Sequence, residues 1–164
     1  SSFDLPGIAV GGVSVGESVE LIHDVIKFVP QFLPQKKPRY LMGIGSLNEI
    51  VLAVANGFDM FDCVLPTRSG RTGLAFTWEG KINLKNSKFQ KDKEPLDKNC
   101  KIRNLNKFSK GYLNHLIKTD EILASMLISL NNIYFYQQFM RHIRTNIKNG
   151  TFKKFYKKYI NFFD

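Results

Sequence analysis

With 164 residues, 43% of them hydrophobic and 23% charged, the chain is long enough for one domain with a real core and too apolar to stay disordered. Residues 1–82 carry 7 Lys/Arg and 8 Asp/Glu, while residues 83–164 carry 17 and 6, so nearly all of the formal +10 charge sits in the second half. That asymmetry fits a polyanionic partner, nucleic acid or an anionic membrane, and fits a bias of composition toward lysine as well. Two cysteines, Cys63 and Cys100, are too few for a disulfide framework, and neither an apolar leader nor a run of ~18 apolar residues is present, so a cytoplasmic setting without a membrane is expected.

In chain order, Ile8–Val10 reads as a short strand ending at Gly11-Gly12. Helical spacing of Val19, Leu21, Ile22, Val25, Ile26 and Val29 predicts a helix over Glu17–Val29, ended by Pro30, with Pro34 keeping it from resuming. Tyr40–Met42 is a second strand, ending at Gly43-Ile44-Gly45. Ser46 is an N-cap for a helix through Asn56, with Gly57 beyond its C-terminus. Met60–Leu65 is a third strand, opening into a basic, flexible loop. This alternation predicts parallel strands with helical crossovers, either a doubly wound sheet or a (β/α)₈ barrel. In both folds chemistry gathers beyond the C-terminal strand ends, where Gly11, Gly12, Met42, Gly43 and Asp62 fall.

After Gly73 the pattern changes. Ala75–Trp78 and Lys81–Leu84 predict a hairpin turning at Glu79-Gly80, and residues 86–106 read as a polar surface excursion. Helices are then expected over Tyr112–Lys118, over Glu121–Leu130 behind a Thr119-Asp120 cap, over Ile133–Asn149, and over Phe152–Phe163 behind Thr151. The last places Phe152, Phe155, Tyr156 and Tyr159 on one face and Lys153, Lys154, Lys157 and Lys158 on the other. Such a helix either docks its aromatic stripe on the parent domain or binds a membrane or RNA.

One carboxylate interrupts the apolar run of the third strand. Asp62 sits among Met60, Phe61, Cys63, Val64 and Leu65, with Arg68 and Arg71 soon after. A buried acid beside a basic loop suggests a reactive centre facing a phosphate-rich partner; an aspartate that caps the next turn or pairs with Arg68 would read the same way locally.

Several separate segments, in order, carry a resemblance. GGVSVGE (Gly11–Glu17), RYLMGIG (Arg39–Gly45), FDMFDCVLPTRSGRTG (Phe58–Gly73), FTWEGKINLKN (Phe76–Asn86), EPLD (Glu94–Asp97) and YFYQQFM (Tyr134–Met140) together resemble the tRNA-guanine transglycosylases, or queuine tRNA-ribosyltransferases, of the bacterial branch. The resemblance implies an exchange of guanine at the first anticodon position of tRNA for a 7-deazaguanine, in queuosine biosynthesis. Asp62 matches the nucleophile that attacks the ribose C1′. Gly11, Gly12, Val13 and Met42 match the base pocket: the Gly12 amide for the purine carbonyl, the Val13 carbonyl (where most relatives have leucine) for the deazapurine substituent, and Met42 against the ring. Val15, bulkier than the glycine of eukaryotic members, points to the aminomethyl-deazaguanine precursor preQ1 rather than queuine. Arg68 and Arg71 match the basic loop that holds the anticodon.

Two departures from the family follow. Its zinc site of three cysteines and a histidine is reduced to Cys100, with Ile102, Leu105 and Asn131 at the other positions, so no zinc and no other cofactor is expected. A (β/α)₈ barrel also needs about 200 or more residues. The expected fold is therefore the C-terminal portion of such a barrel, about three β/α units. Its expected parts are a partial barrel over 1–75, a degenerate zinc-type subdomain over 76–132 and C-terminal helices over 133–164. Without the general acid/base of the missing strands, little turnover is expected from this piece alone. The implied partners are tRNA, the 7-deazaguanine base, and a second copy or the N-terminal piece. A non-catalytic tRNA-binding or dimer-partner remnant is the alternative, and a basic interaction module unrelated to modification is the third reading.

Overall fold

The computed structural model describes residues 4–14, 16–102 and 104–163; Val15, and with it the expectation about preQ1, lies outside the described residues. The fold is mixed α/β, and its contacts gather into two compact units, one of residues 1–63 with 149–164 and one of residues 64–148.

The first unit is built on three strands, β1 (Ile8–Val10), β2 (Arg39–Leu41) and β3 (Met60–Phe61). They lie side by side in that order, all parallel, with Ala9 opposite Tyr40 and Tyr40 opposite Met60. Helix α1 (Val19–Phe28) joins the first pair and α2 (Leu47–Ala55) the second. Each starts at a serine whose hydroxyl accepts from the third residue on, Ser18 from Leu21 and Ser46 from Glu49. The expected helix over 17–29 begins two residues late because Ser18 occupies the cap, and a 3-10 turn around Pro30 follows it. Ile26, Leu41, Ile44, Val51 and Phe58 are fully or almost fully buried and form the core of this unit.

At the N-terminal end of the sheet, Arg39 is 8% exposed and acts as a tie. Its guanidinium donates to the carbonyls of Leu33, Pro34 and Gly57, at 2.7, 3.0 and 3.4 Å. Gly57 is obligatory here: its φ is +97°, and a β-carbon would lie 2.8 Å from that guanidinium. Helix α6 (Phe152–Tyr159) belongs to the same unit. It buries Phe155 and Tyr159, half-buries Phe152 and Tyr156, and leaves its four lysines exposed, which is the docking arrangement. It is shorter than the expected Phe152–Phe163. Phe163 is nevertheless buried, with its N–H donating to the Asn48 side chain of α2.

From the end of β3 onward the chain differs from expectation in several places. The third strand stops at Phe61, and the residues expected to form a flexible loop are instead helix α3 (Leu65–Arg71). Pro66 sits in its first turn, where a missing N–H costs nothing. Gly70 serves packing rather than flexibility, since a β-carbon there would fall 2.3 Å from Ser129 Oγ. The two helices expected over 121–130 and 133–149 are one, α5 (Ile122–Lys148). Its buried positions, Ala124, Ile128, Asn131, Asn132, Phe135, Tyr136, Phe139 and Ile143, form an unbroken helical stripe. Asn131 and Asn132 lie within that stripe and do not break the helix. Finally, Thr119 caps the C-terminus of α4 (Lys110–Lys118), its hydroxyl donating back to His115 and Leu116; it does not open the next helix.

The hairpin forms from β4 (Leu74–Thr77) and β5 (Gly80–Asn83), turning at Trp78-Glu79, one residue earlier than expected. Residues 86–106 are only partly a surface excursion: Leu96, Asp97, Cys100 and Leu105 are buried. Ala75, Leu84, Leu113, Leu116, Ala124 and Ile128 close a core with Leu96. Among the described residues no helix is long and apolar enough to cross a membrane.

Candidate active site

The C-terminal ends of β1, β2 and β3 converge as parallel strands require, and the candidate residues of the first unit meet there. Met42 continues β2 and donates its N–H to the Val10 carbonyl at 2.9 Å. Its thioether lies over the first loop, where a β-carbon on Gly11 would be 3.3 Å from Sδ. Gly12 is exposed at φ +73°, with no atom within 4 Å of a β-carbon placed on it, so the side where a side chain would stand is open. Val13 is buried, and its carbonyl oxygen would meet a β-carbon on Gly43 at 3.4 Å. The first and second strand ends therefore touch through Gly11–Met42 and Val13–Gly43.

Asp62 closes the third side. It lies one residue past β3 and is exposed, so the expectation of a buried acid is corrected: the strand ends before the carboxylate, and desolvation is a minor influence on it. Besides its own N–H, two neutral donors from β2 and the loop after it hold it. The Tyr40 hydroxyl donates to Oδ1 at 2.7 Å, and the Gly43 N–H donates to the same oxygen at 2.8 Å. The Gly43 N–H, and after it the Tyr40 hydroxyl, keep the Asp62 carboxyl below the usual carboxylate range; burial opposes them weakly. The same hydrogen bond pushes the Tyr40 phenol up. Asp62 is thus an ionised, accessible carboxylate with one oxygen fixed. At the ends of the neighbouring strands are a soft sulfur, an exposed glycine loop and a backbone carbonyl, a set able to receive a flat heterocycle and an electrophilic carbon.

Sequence reasoning put Gly43 at this strand end but missed the bonds that Tyr40 and Gly43 make to Asp62. Their signal was present in the parallel pattern: Tyr40 pairs with Met60 in register, which brings its side chain to the same sheet end as Asp62, two residues on. Arg68 and Arg71 belong to the second unit, both exposed on α3.

The sequence model of the family described as Queuine tRNA-ribosyltransferase matches residues 1–164, all of the chain. The chain belongs to the queuine tRNA-ribosyltransferase family. It is 62% identical over 152 residues to the queuine tRNA-ribosyltransferase of Prochlorococcus marinus (strain AS9601), covering 93% of this chain and 41% of that protein. With the queuine tRNA-ribosyltransferase of Rickettsia prowazekii (strain Madrid E) it shares 52% identity over 147 residues, 90% of this chain and 41% of the relative. The chain thus spans about two fifths of the length of these relatives.

The residues at the zinc positions that the resemblance to queuine tRNA-ribosyltransferases implies do not fit a tetrahedral ion. Cys100 is buried, and burial pushes its thiol up, away from the thiolate a metal would need. Ile102 and Leu105 offer no lone pair, and Leu105 is buried in the core. At the histidine position, Asn131 turns its amide N–H to the Phe76 carbonyl at 3.0 Å. Among the described residues no three His, Cys, Asp or Glu side chains are grouped as a metal site requires.

Proposed function

We propose that this chain is the C-terminal part of a tRNA-guanine transglycosylase and that it works with the part of its relatives' length that it does not span. In this reading guanine at the wobble position of a tRNA anticodon is exchanged for a 7-deazaguanine, preQ1, in the cytoplasm. Asp62 attacks the ribose C1′ and carries a covalent ribosyl intermediate. A carboxylate suits this step because the developing sugar cation attracts it before the bond closes.

One observation carries the reading: the ionised Asp62 carboxylate stands at the same strand-end mouth as Gly11, Val13, Met42 and Gly43, in a chain that matches the family over its whole length. The Gly12 amide bonds the purine carbonyl, the Val13 carbonyl faces the substituent on the deazapurine, and the Met42 thioether lies on the ring face. Arg68 and Arg71 hold the anticodon bases and phosphates through their flat donor forks. The three parallel strands are the last three of a (β/α)₈ barrel. Ala9, Tyr40 and Met60, which share one face in register, belong to the layer that fills its interior, which accounts for the exposure of Ala9 and Met60 in this chain. No zinc is bound at Cys100.

The test is exchange of labelled guanine into tRNA by this chain supplied with the remaining, N-terminal portion of the Prochlorococcus marinus relative. Incorporation is expected with Asp62 present and is expected to fall at least a thousandfold in Asp62→Asn, a loss of about 4 kcal/mol of transition-state stabilisation. Binding of tRNA with no exchange in either protein would favour a non-catalytic remnant instead.

A further inference from the structure

Beside its own N–H, Asp62 has two donors from elsewhere in the chain, and both end on one atom. The Tyr40 hydroxyl and the Gly43 N–H reach Oδ1, at 2.7 and 2.8 Å, from residues placed 22 and 19 positions earlier in the chain. Neither engages Oδ2. We infer that Tyr40 is a positioning residue of the proposed reaction: with Gly43 it pins Oδ1, fixes the rotation of the carboxylate, and makes Oδ2 the oxygen that bonds C1′. The inference rests on the reading of Asp62 as the nucleophile.

Tyr40 is suited to this by its place in the sheet. It is the middle residue of the row Ala9, Tyr40, Met60, on the face opposite the buried Arg39 and Leu41, with its ring half-buried and its phenol at the strand-end mouth. A half-buried ring held in a central strand has little rotamer freedom, so its hydroxyl is a fixed donor. Gly43, at φ +78°, aims its N–H at the same point from the loop. The two directions of approach define a plane for the carboxylate, which one donor could not do.

The fixed oxygen has a second role as bonds form and break. Oδ2 donates a lone pair to C1′ as the C1′–N9 bond breaks; that bond pair leaves on guanine, which takes a proton from a general-acid carboxyl. Oδ1 then becomes the carbonyl oxygen of the ribosyl ester, still held by Tyr40 and Gly43. In the return step the incoming base gives its N–H proton to the same general-acid carboxylate and bonds C1′, and the C1′–Oδ2 pair returns to Asp62. Donors on Oδ1 stabilise the charge that the departing carboxylate regains.

Tyr40→Phe keeps the ring and removes only the donor. Two readouts are taken on it. In the chain itself, the carboxyl ¹³C shift of Asp62 is followed against pH: the midpoint is expected to rise in Tyr40→Phe, and equal midpoints would overturn the inference. In the exchange assay with the supplied N-terminal portion, kcat is expected to fall about tenfold to a hundredfold, the range of one hydrogen bond to a charged group, with KM within twofold and the acid limb of the rate profile moved to higher pH. An unchanged kcat, or a change confined to KM, would also overturn it. Exchange that survives Asp62→Asn sinks the nucleophile reading instead, and does so whatever Tyr40→Phe shows.

Discussion

Asn132 shows how much one side chain can hold. Its Oδ1 accepts from the Phe76 N–H at 2.9 Å, and its Nδ2 donates to the carbonyls of Pro66 and Leu74, both at 2.9 Å. It is fully buried, so no water can replace it. Asn132→Ala strands three main-chain groups and is expected to cost about 2–4 kcal/mol, measured by urea unfolding through the fluorescence of Trp78, the single tryptophan of the chain. Asp97 behaves in the opposite sense. Burial pushes its carboxyl up, although the Asn99 N–H bonds it. The folded state therefore holds the proton more tightly than the unfolded state does. Between the unfolded and folded values stability falls as pH rises, and the loss is complete above the folded value. Asp97→Asn keeps an acceptor oxygen for Asn99 and removes the charge. It is expected to be more stable than the parent at neutral pH, and to lose that advantage below the ordinary aspartate range. Thermal unfolding of both proteins from pH 3 to 8 checks the sign.

At the scale of elements, the decisive contact is α3 against α5. A β-carbon at Gly70 would meet Ser129 Oγ at 2.3 Å and the Ser129 Cα and N at 2.7 Å. Gly70→Ala is expected to destabilise the second unit by about 1–3 kcal/mol through a forced backbone shift. Adding Ser129→Gly should not restore it, because main-chain atoms of residue 129 remain in the way; full recovery in the double variant by the same unfolding measurement would show that only the hydroxyl mattered. Helix α2 was legible beforehand because its cap is local: Ser46 accepts from Glu49 N, three residues on. The equally local cap of α4 went unread: Ser109 accepts from Tyr112 N and starts the helix at Lys110, two residues before the expected Tyr112. Helix α3 was not legible, because proline, arginine and glycine together read as a loop. What permits a glycine inside it is a partner helix some sixty residues on. For the same reason Asn131 and Asn132 looked like a break in α5, when their amides instead serve the main chain of β4.

For the whole molecule, the positions that the resemblance gives to zinc ligands are otherwise used: Leu105 and Cys100 are buried, and Asn131 donates to the Phe76 carbonyl. Purified without chelator, the chain is expected to carry far less than one equivalent of zinc by elemental analysis, and EDTA is expected to leave its unfolding midpoint unchanged; stoichiometric zinc would overturn the reading of Cys100. The sequence by itself determined the alternation of parallel strands and helices, the position of Asp62 at a strand end, and membership of the family, because these rest on periodicity, capping and motif order along one stretch of chain. Only the tertiary structure decided that Asp62 is exposed, that Tyr40 and Gly43 hold its Oδ1, and that the segment after it is a helix. Those features depend on which distant residues a sheet register and a helix crossing bring within hydrogen-bond reach, and no local pattern encodes that distance.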